Sequence, residues 1–217
     1  MKNVIITGTN GMIGNLILQI CLQRTDVNMI TSITRKPLGI SHPKLIEVIH
    51  TDFTNFDPIE NNLKNKDVCF YCVGVYTGQV PADEFKKITV TYTEIFAKAL
   101  KKNSEAVSFN LLSGQGADTT EKSKILFARE KGIIENILTN LKFKAFHSFR
   151  PGYIYPITKR VEPNMMYKIM RLLYKPLNLF LPKAVITSEK LANVMVNVGF
   201  NGSEKAVFEN IEMRNYI

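Results

Sequence analysis

The chain has 217 residues, 45% hydrophobic and 22% charged, with 28 Lys and Arg against 19 Asp and Glu and a formal net charge of +9. That length suits one well-cored domain, and the basic balance favours anionic partners, although the scattered cations form no aromatic-basic platform for nucleic acid. No apolar run is long enough to span a bilayer, the first one stops at Thr7-Gly8 before any secretory leader is formed, and Cys21, Cys69 and Cys72 make no disulfide framework, so a reducing, cytoplasmic setting is expected.

In chain order, short β-rich runs alternate with longer helical patterns. Residues 2–7 (KNVIIT) form the first strand, and Ile13, Leu16, Ile17, Ile20 and Cys21 then follow helical spacing. Between them Gly8, Gly11 and Gly14 read G-x-x-G-x-x-G. Glycine is needed there if the chain bends sharply, a pyrophosphate approaches the backbone and the helix packs close to the strand. The helix would then begin around Asn10, Gly11, Met12 and Ile13, with its amides toward phosphate.

Runs 27–34 (VNMITSIT) and 45–49 (LIEVI) are the next strands. The first of them leads into SITRKP, so Arg35 and Lys36 stand where NAD-binding folds carry a carboxylate for the ribose 2′-hydroxyl. A guanidinium on a 2′-phosphate contributes about 1.5–3 kcal/mol, which favours NADP over NAD. Asp52 and Phe53, in HTDFTNFD, are placed to border an adenine by hydrogen bonding and by an apolar face. Run 67–73 (DVCFYCV) reads as a buried strand whose Cys69 and Cys72 point to opposite faces, so core packing outweighs a redox or metal pair. His42, His50 and His147 lack ligand spacing, and no metal is expected. Val73 and Gly74 end this strand, where a missing side chain would let a ribose lie against backbone.

Phe85, Ile88, Tyr92, Ile95, Phe96 and Ala99 mark a helix, and 106–112 (AVSFNLL) a strand. A helix over roughly 121–140, a strand at 145–150 (AFHSFR), a helix over roughly 188–198 stopped by Gly199, and a strand at 206–209 (AVFE) complete the series. Strands that are almost continuously apolar belong to a parallel sheet covered on both faces. The predicted fold is therefore doubly wound α/β: one domain over residues 1–217, with 156–187 a variable lid or cleft segment. In that segment Met165, Met166, Ile169, Met170, Leu172 and Leu173 form the apolar face of a short helix ended by Pro176, with Lys168, Arg171 and Lys175 among them. A lid or core-capping helix, an oligomer contact and a basic membrane-surface helix are the readings open to it. A Met-lined cleft would suit a small apolar ligand.

The motifs TGTNGMIG, TDF, CVG, FNLLSGQGAD, FAREKG and FRPG, in that order, resemble the atypical short-chain dehydrogenase/reductases, of the Tat-interacting-oxidoreductase-like and NmrA-like NAD(P)-binding kind. The resemblance runs from the first strand to about Glu209. It implies a Rossmann fold in which a serine, a tyrosine and a lysine serve the nicotinamide. Tyrosine exchanges the proton, lysine lowers its pKa and holds the ribose, and serine orients the carbonyl.

The lysine maps to Lys131 and the tyrosine to Phe127, while the serine falls on Ser113 or Gly114. An asparagine common on the helix after strand four maps to Thr89. Pro151 and Gly152 would shape the backbone around the carboxamide, with Tyr153 and Tyr155 near the nicotinamide end. A positioned acid is worth roughly 10²–10⁴-fold, and phenylalanine supplies none. The expectation is a protein that holds NADP(H) with a degraded Ser-Tyr-Lys site, as a redox sensor or cofactor-dependent binding protein. The alternative is an NADP-dependent oxidoreductase on a small apolar carbonyl or quinone, with Tyr76, Tyr153 or Tyr155 as substitute donor. A homodimer or a protein partner is compatible with both.

Overall fold

The computed structural model describes residues 1–76, 78–158 and 165–216. Its strands are β1 (Lys2–Thr7), β2 (Val27–Thr34), β3 (Leu45–Ile49), β4 (Val68–Tyr71), β5 (Ser108–Leu112), β6 (Ala145–Arg150), β7 (Tyr153–Tyr155), β8 (Val185–Thr187) and β9 (Val207–Glu209). The main sheet runs β3-β2-β1-β4-β5-β6-β9 with every pairing parallel, while β7 and β8 pair in a small sheet of their own.

The continuous apolar runs explain that architecture. In β1, Val4 and Ile6 face one core and Ile5 the other, all three fully buried. Helices α1 (Met12–Gln23) and α8 (Ser188–Asn201) cover the first face through Ile17, Leu18, Leu191 and Met195. On the second face, α4 (Tyr92–Asn103) and α5 (Leu126–Asn140) bring Phe96, Leu100, Ile134 and Leu138. Each such side chain contributes about 1.5–3 kcal/mol by leaving water. Cys69 lies in the second core and Cys72 packs against the first, as the alternation of a strand requires.

The remaining elements are short. Helix α2 (Glu60–Leu63) precedes β4. Helix α3 (Ala82–Lys86) continues through a π turn (Lys87–Thr91) into α4, and the π turn buries Thr89 and Val90. Helices α6 (Met165–Leu172) and α7 (Tyr174–Phe180) precede β8, and α9 (Asn210–Asn215) closes the described chain. Within the segment 156–187, residues 159–164 and the side chains of Met166 and Tyr167 lie outside the described residues.

Several boundaries differ from those the sequence suggested. Helix α5 begins at Leu126, because Asp118 organises the preceding loop: its carboxylate accepts from Thr120 N and Oγ1 and from Ser123 N. Gly199 does not stop α8. A Cβ there would come within 2.7 Å of the Phe70 ring, and the helix runs on to Gly202, whose φ of 78° makes the true stop. Pro176 does not end α6 either. It lies in the first turn of α7, where an amide hydrogen is dispensable. Helix α9 has no long periodic stripe and owes its start to a capping box between Glu209 and Glu212.

One contact ties α5 to the loop that follows β5. A Cβ on Gly132 would overlap the Asp118 carbonyl, which is backbone and cannot swing away. Gly132→Ala should therefore lower stability by about 1–3 kcal/mol, read as a fall in urea midpoint. Gly74→Ala, where a Cβ meets nothing within 4 Å, should leave that midpoint unchanged or raise it.

Candidate functional site

The winding of a sheet of this order reverses between β1 and β4, which opens a crevice beyond the carboxyl ends of the strands. A cavity of about 710 Å³ lies there. Its first wall is the β1–α1 turn, with Gly8, Asn10 and Gly11. Gly8 has φ +76°, and a Cβ on it would sit 2.6 Å from the Cys72 carbonyl; one on Gly14 would overlap the Gly8 carbonyl. The turn consequently lies against β4, and α1 starts at Met12 with Gly11 as a bare N-cap. The Asn10 amide is engaged with other residues of the cavity lining. Its Nδ2 donates to Thr34 Oγ1 (2.6 Å) and Lys36 O (2.9 Å), which ties the turn to the end of β2.

Thr34, Arg35 and Lys36 form the second wall, with Thr51 and Phe53 beyond them. Among the described residues no carboxylate lines the cavity. The third wall comes from Cys72, Val73, Gly74 and Val75 after β4, and from Ile88 and Tyr92. Phe53 is buried and packs beside Tyr92, ring centroids 6.0 Å apart.

Of the residues singled out in the sequence, Gly8, Asn10, Gly11, Arg35, Phe53, Val73 and Gly74 thus line one cavity. Met12 and Ile13 open α1 behind it, with Ile13 in the core. Asp52 is exposed and outside the lining. Its carboxylate accepts from Thr54 Oγ1 (2.5 Å) and N (2.9 Å), and the Thr54 hydroxyl in particular holds its pKa below the usual range. Sequence reasoning passed over Thr34, Thr51, Cys72 and Val75, each adjacent to a motif residue. Ile88 and Tyr92 were read only as members of a helical spacing. Phe85 and Phe96 of that spacing are buried, whereas Ile88, in the π turn, and Tyr92, just after it, stand at the cavity edge.

A second group gathers at the end of β5. Lys131 is 8% exposed, and its Nζ donates to Leu112 O at 3.3 Å. Burial pulls its pKa down to about 8, opposed by the charge of Glu135 and by the Cys72 thiol. Ser113 is turned inward, its Oγ donating to Glu135 Oε1 at 2.6 Å. Glu135 also accepts from Ser148 Oγ (2.7 Å) and from the Arg150 guanidinium, which reaches on to Glu209 Oε1 at 3.0 Å. The neighbour of Phe127 is Gly114: a Cβ on Gly114 would overlap Cζ of the ring, the carbon that carries the hydroxyl in a tyrosine.

Pro151, Tyr153 and Lys131 stand outside the cavity lining. Pro151 is buried, with its carbonyl accepting from Gln115 N at 2.8 Å, and Gly152 N donates to Asn210 Oδ1 at 2.8 Å. Tyr153 opens β7, and Tyr155 stacks on Tyr174 with centroids 3.8 Å apart. Thr89 is buried in the π turn. Among the described residues no three His, Cys, Asp or Glu side chains gather into a metal site.

The depressed lysine gives a stability signature. Below about pH 8 both folded and unfolded chains are protonated at Lys131, and the fold carries the whole burial cost. Between about 8 and 10.5 the unfolded chain binds the proton that the folded one has lost, so stability rises with pH, by at most about 1.4 kcal/mol per unit. Lys131→Met should raise the urea midpoint at pH 7. The difference between variant and wild type should shrink across that window.

No family model matches the chain. Protein HTATIP2 of Rattus norvegicus is 30% identical over 155 residues, covering 70% of this chain and 63% of that protein. Protein FMP52, mitochondrial, of Debaryomyces hansenii is 28% identical over 149 residues, 68% of this chain and 64% of that one. The chain thus spans less than two thirds of the length of these relatives. A short chain dehydrogenase family protein from Francisella tularensis has a TM-score of 0.66 over 99% of both chains at 15% identity. The Bordetella bronchiseptica enzyme WbmH, solved in complex with NAD+, has a TM-score of 0.70 at 17% identity over 96% of this chain and 74% of that one. In sequence the chain is similar to these relatives, and in fold it shares the Rossmann architecture of the short-chain dehydrogenase proteins, as its resemblance to the atypical short-chain dehydrogenase/reductases implied.

Proposed function

We propose that the protein binds NADP(H) and works as a redox sensor or cofactor-dependent binding protein, without the proton donor its superfamily ordinarily uses. The observation that carries this reading is the make-up of the 710 Å³ cavity: a glycine turn, Arg35 and Lys36 on the wall tied to it, and no carboxylate among the described lining residues. The residues fit a dinucleotide. The cradle at Gly8 is one that a Cβ would fill, and amides at the start of α1 suit a pyrophosphate. Arg35 and Lys36 suit an additional phosphate that a carboxylate would repel. Phe53 and Tyr92 offer apolar walls to a base. WbmH, a protein of like fold, was solved with NAD+.

A bound nicotinamide would supply hydride donation or acceptance. Around it this chain offers Lys131 to hydrogen-bond ribose hydroxyls, while the Ser113 hydroxyl is already given to Glu135. Phe127 and Gly114 stand where the family has hydroxyls. The Phe127 ring occupies the space of a serine side chain at 114, so a serine cannot return there unless the ring moves. Three free thiols support a reducing compartment such as the cytoplasm, although the FMP52 relatives are labelled mitochondrial.

One observation favours the alternative, an NADP-dependent oxidoreductase on a small apolar carbonyl or quinone. Lys131, with its pKa drawn to about 8, is a stronger acid than an ordinary lysine and stands at the same end of β5.

Calorimetry tests the binding claim. NADPH should bind more tightly than NADH, and Arg35→Ala should weaken NADPH roughly tenfold to a hundredfold while changing NADH little. Equal losses would remove the assignment to NADP, and flat traces with folded protein would end the dinucleotide reading. A spectrophotometric panel of aldehydes, ketones and quinones tests the chemistry. The wild type is expected to leave NADPH unoxidised, with Phe127→Tyr gaining turnover; sustained wild-type turnover would select the oxidoreductase.

A further inference from the structure

We propose that the outward face of α6 and α7 is a docking surface for an anionic lipid bilayer, so that the protein lies on a membrane without crossing it. The first observation is direction. On α6, Met165, Ile169 and Leu172 stand at i, i+4 and i+7, the spacing that normally turns toward a core. Here they face solvent, 67%, 46% and 82% exposed. The stripe passes on to α7, where Lys175, Pro176 and Leu179 point outward, and it ends in Phe180 and Leu181, 75% and 57% exposed.

The second observation is that the opposite side of α7 is anchored. The Tyr174 ring stacks on Tyr155, and Arg214 Nη1 donates to Asn178 Oδ1 at 2.7 Å. Tyr174, Leu177 and Asn178 are half-buried, so the helix has its own inner side and the apolar stripe is the other one.

The third observation is charge. From Met165 to Ser188 the cations are Lys168, Arg171, Lys175 and Lys183, and the stretch contains no acidic residue. That pattern chooses between occupants. A second copy docked about a two-fold axis would bring the same cations against themselves. An anionic headgroup layer pairs with the exposed Lys168, Lys175 and Lys183, while Leu172, Leu179 and Phe180 reach the acyl boundary and the lysine stems snorkel. No described helix is long and apolar enough to cross a membrane, which fits helices lying in the interface plane. The net charge of +9 draws the whole molecule toward such a surface.

Flotation of the full chain with vesicles tests this independently of nucleotide binding. Phosphatidylcholine vesicles containing roughly a third phosphatidylserine should retain the protein on the order of tenfold better than phosphatidylcholine alone, with the difference falling as salt is raised. Two variants of exposed residues, Leu172→Gln with Leu179→Gln and Phe180→Gln, and Lys168→Glu with Lys175→Glu, should lose retention while keeping the wild-type melting curve. Absence of wild-type retention on anionic vesicles would overturn the proposal, as would retention unchanged in both variants. Sedimentation showing a dimer that the Leu/Phe variant dissolves, without vesicle binding, would give the face to a second copy instead.

Discussion

The close approach of the β1–α1 turn to the end of β4 is the constraint from which the site follows. With no side chain at Gly8, backbone meets backbone at Cys72; with none at Gly14, the first helix folds back over that turn. Any Cβ at Gly8 or Gly14 would push the turn or α1 away from β4. The floor of the cavity, the position of Gly11 at the helix start and the reach of Asn10 to Thr34 and Lys36 are all set by that contact. The cationic corner at Arg35 and Lys36 is thereby held near the helix N-terminus, although the two are separated in the sequence by the whole of α1 and β2.

At the carboxyl ends of β5 and β6 a buried carboxylate plays a comparable role. Glu135, almost wholly buried, gathers Ser113, Ser148 and Arg150, and Arg150 extends the network to Glu209 beside the α9 capping box. Removing one partner from such a buried pair costs about 3–5 kcal/mol, because a charge is left unpaired. The arrangement turns Ser113 inward. Its hydroxyl is a member of the core network, and the residue beside the Phe127 ring is Gly114. Gly114 and Phe127 are therefore in contact and form a single local shape.

Much of the fold was legible because it rests on local pattern. The runs in β1 and β4 are apolar at successive positions, which a sheet covered on both faces buries, and the glycine spacing after β1 announced the turn. Periodicity failed where a residue's local tendency was overruled by what it touched. Gly199 reads as a helix stop, yet its missing side chain makes room for Phe70. Pro176 reads as a stop as well, yet a new helix starts just before it. In the site, Gly8, Gly11 and Arg35 were visible by motif. Ile88 and Tyr92 were not, since a π turn changes the phase of a stripe without changing its composition.

By itself the sequence determined the class of fold, the phosphate-type turn, the cationic end of β2 and the absence of a hydroxyl at Phe127, because each is a property of residue types at short spacing. Tertiary structure decided which residues those features meet. Asp52 turns to Thr54 instead of the cavity, Ser113 turns to Glu135, Gly114 faces Phe127, and the apolar stripe of α6 and α7 faces solvent. The physical reason is that a side chain's partner is fixed by packing between elements distant in the chain, and residue order carries no measure of that distance.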